Sequence, residues 1–306
     1  MYLHKDNREL FGDVLLLTSE KIGVAVDIVE KDYYVTMILK LLAKAKYTVV
    51  FKGGTSLSKA FGLIERFSED IDITFTEHLG ENRRKRLKYE ILQPIAEELG
   101  MRIRNWNSIE SDKDYNHYDY YYDSVYDNSM GGLPPFVKLE TALMSYSFPT
   151  EEKQISNYIY EVLGEEEKEL IEKYDLQPFI MRVQSISRTL IDKIFALCDY
   201  YMMDKARRNS RHLYDIYKLA PYVTKDKDFL KLVKEVRLHR QSMNENITPS
   251  ARDEIDILEV VAKICDEDFY KSDYADTTIR LISDEVEYEV VKNFYRNYTK
   301  ELFTNA

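Results

Sequence analysis

Two short stretches of the sequence decide which fold this chain can adopt. They read Val49-Val50-Phe51-Lys52-Gly53-Gly54-Thr55-Ser56 and, after a helix-forming stretch, Ser68-Glu69-Asp70-Ile71-Asp72-Ile73-Thr74. The first is an apolar strand that runs through two glycines into a helix beginning at Thr55 or Ser56. Glycines let backbone amides approach a ligand closely, and the first turn of a helix offers unpaired N–H groups to an anion. The first stretch therefore predicts a phosphate-binding turn.

The second stretch places two carboxylates side by side. Asp70 and Asp72 alternate with two isoleucines, and residues i and i+2 of a strand lie on one face. Two adjacent carboxylates repel each other unless a cation lies between them, and Mg²⁺ is typically held by one or two carboxylates together with substrate phosphates. We interpret Asp70 and Asp72 as catalytic metal ligands for Mg²⁺ or Mn²⁺. Ser68, two residues earlier, is expected on the same side, where its hydroxyl would bond a phosphate or a metal-bound water.

Either stretch alone has an ordinary explanation. A Gly-Gly-Thr sequence is most often just a turn, and an Asp-x-Asp sequence at a strand edge is most often solvated surface. Together they predict a phosphate-binding element next to a metal-binding element. The candidate nucleotide ligands are Gly53, Gly54, Thr55, Ser56 and Ser68.

Composition narrows the class of protein. The chain has 306 residues with 43 Lys and Arg against 54 Asp and Glu, a net charge of −11. This balance disfavours non-specific coating of nucleic acid but leaves room for a local basic groove. No apolar run approaches the roughly 18 residues of a membrane span, and the N-terminus lacks the apolar core of a signal peptide. We therefore expect a cytoplasmic protein with no membrane partner, in which Cys198 and Cys265 are buried apolar residues.

Glycine usage and periodicity divide the chain. All ten glycines lie at or before Gly164, and the remainder carries apolar residues at helical spacing, as in Ile186, Leu190 and Ile194. The first half mixes helical patterns with β-rich runs, which indicates an α+β fold with a mixed sheet. The helical patterns cover about 7–22, 28–45 and 81–99, and the β-rich runs cover 47–51, 71–75, 101–106, 118–122 and 136–143. We expect one domain over residues 1–180 and an all-α domain over 181–306 that closes a cleft.

The glycine turn and the paired acids resemble the signature of the DNA-polymerase-β-like nucleotidyltransferase superfamily. More narrowly, the sequence is similar to the AbiEii/AbiGii toxin family, which includes the MenT-type toxins. The resemblance spans about residues 28–220, and beyond it the chain is recognised only as helical. Further matching stretches are Glu30-Lys31-Asp32-Tyr33-Tyr34, Val137-Lys138-Leu139-Glu140, Arg188-Thr189-Leu190-Ile191-Asp192-Lys193 and Arg211-His212-Leu213-Tyr214-Asp215-Ile216-Tyr217.

The resemblance implies a bilobed enzyme that transfers a nucleotidyl group from an NTP to an acceptor. Residues 1–180 would form the nucleotidyltransferase-like domain, a mixed sheet with flanking helices. In the family the acceptor is RNA, notably the 3′ end of tRNA. The enzyme acts there as the toxin of a toxin–antitoxin or abortive-infection system, which implies a separately encoded antitoxin as a partner.

Lys138 and Glu140 form a second i, i+2 pair on a predicted strand. Glu140 is a candidate third carboxylate, which would activate the acceptor hydroxyl or complete a two-metal site. The alternative is an exposed cross-strand pair of a lysine and a glutamate with no catalytic role.

Two further candidates lie in the helical half. Lys193 falls within the apolar stripe of its helix, between Leu190 and Leu197, and a buried lysine needs an anion. That anion is either a carboxylate or a nucleotide phosphate. Asp215 lies on one helix face with Arg208 and Arg211, which alone would indicate an ordinary ion-pair ladder. The family resemblance makes both Lys193 and Asp215 catalytic candidates, and Lys193 a nucleotide ligand.

Two basic clusters contrast with the acidic background. Charge runs of this kind are usually solvated helix faces, but on one side of a cleft they would suit a nucleic-acid backbone. The candidate RNA-binding residues are Arg83, Arg84 and Arg86 in the first cluster and Arg207, Arg208 and Arg211 in the second.

Two other functions remain open from the residues alone. Asp-x-Asp also holds the metal and sugar nucleotide of glycosyltransferases, although that interpretation leaves the glycine turn unexplained. A non-catalytic module that binds a nucleotide or a protein is the other alternative, and the intact acid pair argues against it.

Overall fold

The computed structural model describes residues 1–66, 68, 70–110, 113–126, 132–143 and 149–305. Both helices and strands occur up to Gln184, and helices follow from Ile186 onward. The α-helices are α1 (Leu3–Asp6), α2 (Arg8–Ile22), α3 (Val26–Ala43), α4 (Gly53–Lys59), α5 (Glu81–Arg86), α6 (Gln93–Glu98), α7 (Tyr158–Leu163), α8 (Lys168–Lys173), α9 (Ile186–Met202), α10 (Arg211–Leu219), α11 (Lys227–Gln241), α12 (Ile257–Asp266), α13 (Lys271–Asp276) and α14 (Tyr288–Asn305). A π-helical segment, Leu87–Leu92, joins α5 to α6.

Seven strands in the described part of the chain form one mixed sheet. The strands are β1 (Val49–Lys52), β2 (Ile71–Phe75), β3 (Arg102–Ile103), β4 (Tyr115–Tyr121), β5 (Phe136–Ala142), β6 (Thr150–Ile155) and β7 (Phe179–Gln184). Their order is β3-β4-β5-β2-β1-β7-β6. The central pairs are β1 with β2, antiparallel, and β2 with β5, parallel. The expected α+β fold with a mixed sheet and a C-terminal helical region is confirmed.

The chain divides into two compact units. The first comprises Met1–Phe61 and Ser68–Val183, and the second comprises Gly62–Phe67 and Gln184–Ala306. The short segment from Gly62 is therefore assigned with the helices, although it lies between the two motifs of the first unit in sequence. A division into domains at residues 180 and 181 stays a prediction.

Alternation along the strands determines which residues enter the core of the first unit. On β5, Val137 and Leu139 are fully buried while Lys138 and Glu140 are partly exposed. On β2, Ile71 and Ile73 are fully buried and Asp72 is partly exposed. One face of the sheet thus packs into the core, and polar side chains remain on the other.

The sequence patterns missed several elements and misplaced several boundaries. Helices α7 and α8 and strands β6 and β7, each six residues long, lie outside the predicted segments, and strand β4 begins at Tyr115 where the prediction began at 118. The helix after the glycine pair begins at Gly53, earlier than the predicted Thr55 or Ser56.

The structure also bears on the membrane-spanning helices and the two cysteines discussed above. In the described residues, no helix is long and apolar enough to cross a membrane. Cys198 and Cys265 are both buried and carry free thiols, as expected of small apolar core residues.

Candidate active site

A row of polar residues crosses four strands at the same level of the sheet. Lys52 on β1 pairs in register with Asp72 on β2. Asp72 pairs with Glu140 on β5, and Glu140 pairs with His117 on β4. Directly paired residues on neighbouring strands project to the same face, so these four side chains form one line. Lys52 and His117 were not predicted as site residues, because strand register is not visible in the local sequence.

Gly53 lies against the carboxylate of Asp72. Its backbone has φ +77°, and a Cβ built on it would lie 2.0 Å from Asp72 Oδ2 and 2.7 Å from Asp72 Cγ. Only glycine combines a left-handed backbone with room for so close a neighbour. The glycine turn therefore meets the acid pair, as the two sequence stretches together predicted.

Thr55 links the start of α4 to the segment that precedes β2. Its buried hydroxyl donates a hydrogen bond to the carbonyl oxygen of Asp70 (2.5 Å) and lies 2.9 Å from Ser68 Oγ. Ser56 Oγ donates to the carbonyl oxygen of Gly53 (2.8 Å). Both hydroxyls of the turn thus bond within the protein and hold it in shape.

The predicted strand face does not extend to Ser68. Strand β2 begins at Ile71, so Ser68 and Asp70 precede it, and only Asp72 lies within it. Residue 69 lies outside the described residues. The charges of both Asp70 and Asp72 nevertheless act on Tyr115 and Lys138, which indicates that the two carboxylates lie in one site.

Glu140 is held by three neighbours. Lys138, on the same face of the same strand, forms an ion pair with it, and Tyr115 and Asp72 lie close enough to lower its pKa. Burial by itself would raise the pKa of Glu140, but the hydrogen bond and charge of Lys138 outweigh burial and leave the pKa below its ordinary value. Lys138 is thus the ion-pair partner of Glu140, although the two lie along one strand and not across two.

Tyr115 is a site residue that the sequence did not reveal. It is 47% exposed, and burial of its hydroxyl together with the charge of Glu140 raises its pKa above the ordinary tyrosine value. The hydroxyl therefore stays protonated and remains a hydrogen-bond donor. The tyrosine-rich composition of this segment was the one available signal, but it does not distinguish Tyr115 from its neighbours.

The donor set suits a hard divalent cation. Asp70, Asp72 and Glu140 offer only carboxylate oxygens, which are the ligands that Mg²⁺ and Mn²⁺ prefer. Asp72 and Glu140 pair in register on neighbouring strands, and a bound cation would relieve the repulsion between these adjacent carboxylates. Among the described residues, no group of three or more His, Cys, Asp or Glu side chains is already arranged to hold a metal ion. The residues therefore fit a metal in type and need substrate oxygens or water to complete its coordination.

Helix α3 supports the glycine turn from behind. Asp32 forms an ion pair with Lys59 at the end of α4, and its second oxygen accepts a hydrogen bond from the backbone N–H of Tyr158 (3.0 Å). Glu30, also buried, accepts hydrogen bonds from Ser124 Oγ and Val125 N. This matching stretch of the family resemblance thus has a positioning role.

A buried charge cluster lies in the second unit. Asp215 is fully buried and accepts hydrogen bonds from Arg66 Nε (2.6 Å), Arg66 Nη2 (2.8 Å) and Lys193 Nζ (2.7 Å). Lys193 is buried as predicted, and the anion it contacts is a carboxylate, one of the two alternatives. The helix ladder with Arg208 and Arg211 is not formed. Asp215 faces inward, where Arg66 supplies a bidentate partner that sequence spacing could not reveal.

The electrostatics of the cluster follow from burial. Burial by itself would raise the pKa of Asp215, but the charges of Arg66 and Lys193 hold it far below its ordinary value. Burial lowers the pKa of Lys193, partly offset by Asp215. His212, 3.3 Å from Lys193 Nζ, has a pKa well below its ordinary value because of burial and the charge of Lys193, so it is neutral. Asp215 is thus shared by two cations, Arg66 and Lys193.

The two predicted basic clusters differ in their partners. In the first, Arg83 pairs with Glu77 (2.5 Å) and Arg84 pairs with Asp114 (2.7 Å). Arg86 lies 3.8 Å from Glu90. In the second, no ion pair involves the side chains of Arg207, Arg208 or Arg211 within the described part of the chain. The two clusters have similar amino-acid compositions, but among the described residues only the arginines of the second cluster lack acidic partners.

Comparisons with known proteins identify the fold and the family of the chain. The fold is similar to that of MenT4, a nucleotidyltransferase toxin from Mycobacterium tuberculosis H37Rv, with a TM-score of 0.54 and 18% sequence identity over 94% of this chain and 89% of that chain. No curated protein matches the sequence. Residues 40–303 match the family described as nucleotidyl transferase AbiEii toxin, type IV toxin–antitoxin system. The chain therefore belongs to the AbiEii family of nucleotidyltransferase toxins.

Proposed function

We propose that this nucleotidyltransferase toxin transfers a nucleoside monophosphate from an NTP to the 3′ end of an RNA acceptor, and that the acceptor is tRNA. Nucleotidyl transfer, an NTP substrate and a separate antitoxin follow from membership in the type IV family. That membership favours nucleotidyl transfer over sugar-nucleotide chemistry and over a non-catalytic module. The RNA acceptor is supported by the family resemblance and by unneutralised arginines in the second unit.

The observation that carries the proposal is the contact between the glycine turn and the acid pair. Gly53 leaves space for the carboxylate of Asp72, and Glu140 lies directly beside Asp72 in the sheet. A nucleotide bound at the turn would thus present its phosphates to three carboxylates. Carboxylates without a bound cation would repel the nucleotide phosphates, so a cation is needed to offset this repulsion. Asp70 and Asp72 would therefore hold Mg²⁺ or Mn²⁺. When bound, the ion would neutralise phosphate charge and polarise the phosphorus–oxygen bonds.

The chain's own residues supply the rest of the reaction. The oxygen of the acceptor 3′-hydroxyl forms a bond to the α-phosphorus of the NTP, and the bond from that phosphorus to the β-phosphate oxygen breaks, releasing pyrophosphate. Glu140 accepts the hydroxyl proton, since its carboxylate is ionised at neutral pH and lies beside Asp72 in the sheet. Lys138 and Tyr115 orient its carboxylate.

Lys193 is the proposed phosphate-binding cation of the second unit. Lys193 Nζ lies 2.7 Å from the carboxylate of Asp215, which also pairs with Arg66, and its ammonium group would attract a phosphate. Asp215 and Arg66 would then be positioning residues that hold Lys193 in place. A lysine so placed stabilises negative charge on a transferred phosphoryl group.

The test is transfer of label from each of the four NTPs to total RNA, with and without Mg²⁺ or Mn²⁺. We expect metal-dependent labelling of one RNA class by the wild-type chain and none by Asp72→Ala. Asp123→Ala is a matched control, since Asp123 is an exposed acid of the same unit that pairs with Arg102. Label on protein with none on RNA would contradict the RNA acceptor, and label on an RNA other than tRNA would contradict tRNA. Activity with sugar nucleotides alone would contradict nucleotidyl transfer.

A further inference from the structure

The segment that joins α9 to α10 concentrates positive charge on the second unit. Lys205, Arg207 and Arg208 are exposed, and Arg211 is half-buried at the start of α10. We call residues 205–211 the basic loop. The chain as a whole has a net charge of −11, so a cluster of this sign is a local feature and not a consequence of composition.

The cations of the basic loop have no acidic partners in the described part of the chain. Among the described residues, the one side-chain contact of Lys205 Nζ is with the sulfur of Met203 (3.8 Å). Within the same residues, neither Arg207 nor Arg208 forms an ion pair, and Arg211 Nε is buried without a hydrogen-bond partner. Some surface arginines elsewhere do find acidic partners, as Arg83 does with Glu77 (2.5 Å).

One buried acid binds this loop, and it binds the backbone. Asp273 accepts hydrogen bonds from Arg208 N (2.7 Å), Ser210 N (3.1 Å) and Ser210 Oγ (2.6 Å). Thr277 Oγ1 adds another (3.2 Å). Because these groups use both carboxylate oxygens, Asp273 fixes the loop without neutralising its guanidinium groups.

The backbone of the loop is held in an unusual conformation. Arg208 has φ +65° and Asp204 has φ +55°, in the left-handed region that non-glycine residues rarely adopt. The Asp273 hydrogen bonds hold Arg208 there. The loop is thus preorganised, which reduces the entropy that a ligand must remove on binding.

The loop leads directly to the buried charge cluster. Arg211 precedes His212, which lies 3.3 Å from Lys193 Nζ, and Asp215 follows on the same helix at 2.7 Å from that atom. A polyanion that followed the basic loop into α10 would therefore approach Lys193.

We infer that the basic loop binds the sugar–phosphate backbone of the acceptor RNA. The inference rests on the proposed function, because it assigns a binding surface to the proposed acceptor. Guanidinium groups match pairs of phosphate oxygens, and a nucleic-acid backbone repeats one negative charge per nucleotide. The loop holds no apolar side chain larger than Ala206, whereas protein interfaces are built around an apolar centre. This favours RNA over an acidic protein partner.

The experiment measures binding of unfractionated tRNA by fluorescence anisotropy, without NTP, over about 50 to 200 mM salt. The variant Arg207→Gln/Arg208→Gln removes two charges and keeps side-chain length. We expect its affinity to fall about tenfold or more and its slope of log K against log[salt] to decrease by about 1 to 2, since each lost phosphate contact removes about one unit. The control Lys231→Gln/Lys263→Gln removes two exposed charges that pair with glutamates on their own helices.

Three results would overturn the inference. The first is a salt slope in the loop variant equal to that of the wild type, and the second is an equal loss of tRNA affinity in the control variant. The third is a loop variant that loses binding to polyglutamate but still binds tRNA, which would indicate an acidic protein partner. Binding and transfer are measured separately. A wild-type chain that labels no RNA, together with a loop variant that no longer binds tRNA, would contradict the proposed function and leave the inference standing. If the wild-type chain labels RNA normally and the loop variant binds tRNA normally, the inference is contradicted and the proposed function stands.

Discussion

The carboxylate of Asp72 occupies the space in which a side chain at residue 53 would begin. A Cβ on Gly53 would lie 2.0 Å from Asp72 Oδ2 and 3.0 Å from Asp72 Cβ, closer than any carbon–oxygen contact allows. The glycine of the turn and the acid of the next strand are thus one steric unit. Any side chain at residue 53 must displace the proposed metal ligand.

Gly53→Ala should therefore abolish nucleotidyl transfer. We expect a loss of about a hundredfold or more, because displacement of a reacting group by about an ångström has that effect. The left-handed φ adds a stability cost of about 1 to 2 kcal/mol. Gly23→Ala is the matched control, since Gly23 has φ +69° with no atom within 4 Å of its added Cβ. Equal activity in the two variants, measured with labelled NTP, would contradict the steric argument.

Asp70→Ala and Asp72→Ala should each abolish transfer while leaving the fold intact. Loss of a metal ligand forfeits several kcal/mol of transition-state stabilisation, which is about a thousandfold or more in rate. Removing one of several neighbouring carboxylates relieves repulsion, so the melting temperature should hold or rise slightly. Transfer assays and thermal melts on the same preparations check this. Near wild-type transfer by Asp72→Ala would refute the metal assignment.

The buried cluster predicts an asymmetry between two variants. Asp215→Asn removes the charge that both Arg66 and Lys193 contact in the buried cluster, which should cost about 3 to 5 kcal/mol of unfolding free energy. Lys193→Met leaves the Arg66–Asp215 pair balanced and should cost roughly 0 to 2 kcal/mol. If Lys193 binds phosphate, the methionine variant should also lose orders of magnitude in turnover. Urea unfolding and transfer assays separate the two effects, and a destabilised Lys193→Met with normal turnover would exclude the phosphate role.

Stability should fall as pH decreases from neutral. Burial, and then the charges of Lys193 and Arg211, hold the pKa of His212 well below its ordinary value. Below about pH 6.5 the unfolded chain binds a proton that the folded chain does not, which lowers the unfolding free energy by up to about 1.4 kcal/mol per pH unit. Burial lowers the pKa of His4 in the same direction. His212→Gln should reduce the slope in urea melts between about pH 5 and 6.5, with the His4 contribution remaining. An unchanged slope would contradict a neutral His212.

NTP binding should stabilise the chain in a metal-dependent way. A ligand that binds only the folded state raises stability by RT ln(1 + [L]/Kd), about 2.7 kcal/mol at a hundredfold excess over Kd. The carboxylates near Gly53 should make this shift small without Mg²⁺ or Mn²⁺, because they repel the phosphates. Thermal shifts for the four NTPs measure the effect, with Gly23→Ala and Asp72→Ala beside the wild type. A metal-independent shift that survives in Asp72→Ala would place the nucleotide elsewhere.

Local patterns in the sequence were sufficient for much of the fold and for the centre of the site. Alternation identified the buried faces of β2 and β5, since burial follows directly from the period of two in a strand. The glycine pair predicted a phosphate-binding turn, and Asp70 and Asp72 predicted a metal site beside it. Both predictions were possible because each motif consists of residues that are close in sequence. Helical periodicity identified the C-terminal half for the same reason.

Only the tertiary structure decided which distant side chains meet. Strand register pairs Lys52 with Asp72 and brings Tyr115 close enough to Glu140 to affect its pKa. Tertiary packing likewise makes Arg66 the partner of Asp215. The two basic clusters also differ because of tertiary contacts. Asp114 pairs with the side chain of Arg84, whereas Asp273 binds only the backbone and Ser210 within the basic loop. Sequence spacing determines which groups lie on one face. The electrostatic partner of a charge depends on what the rest of the chain places opposite that face.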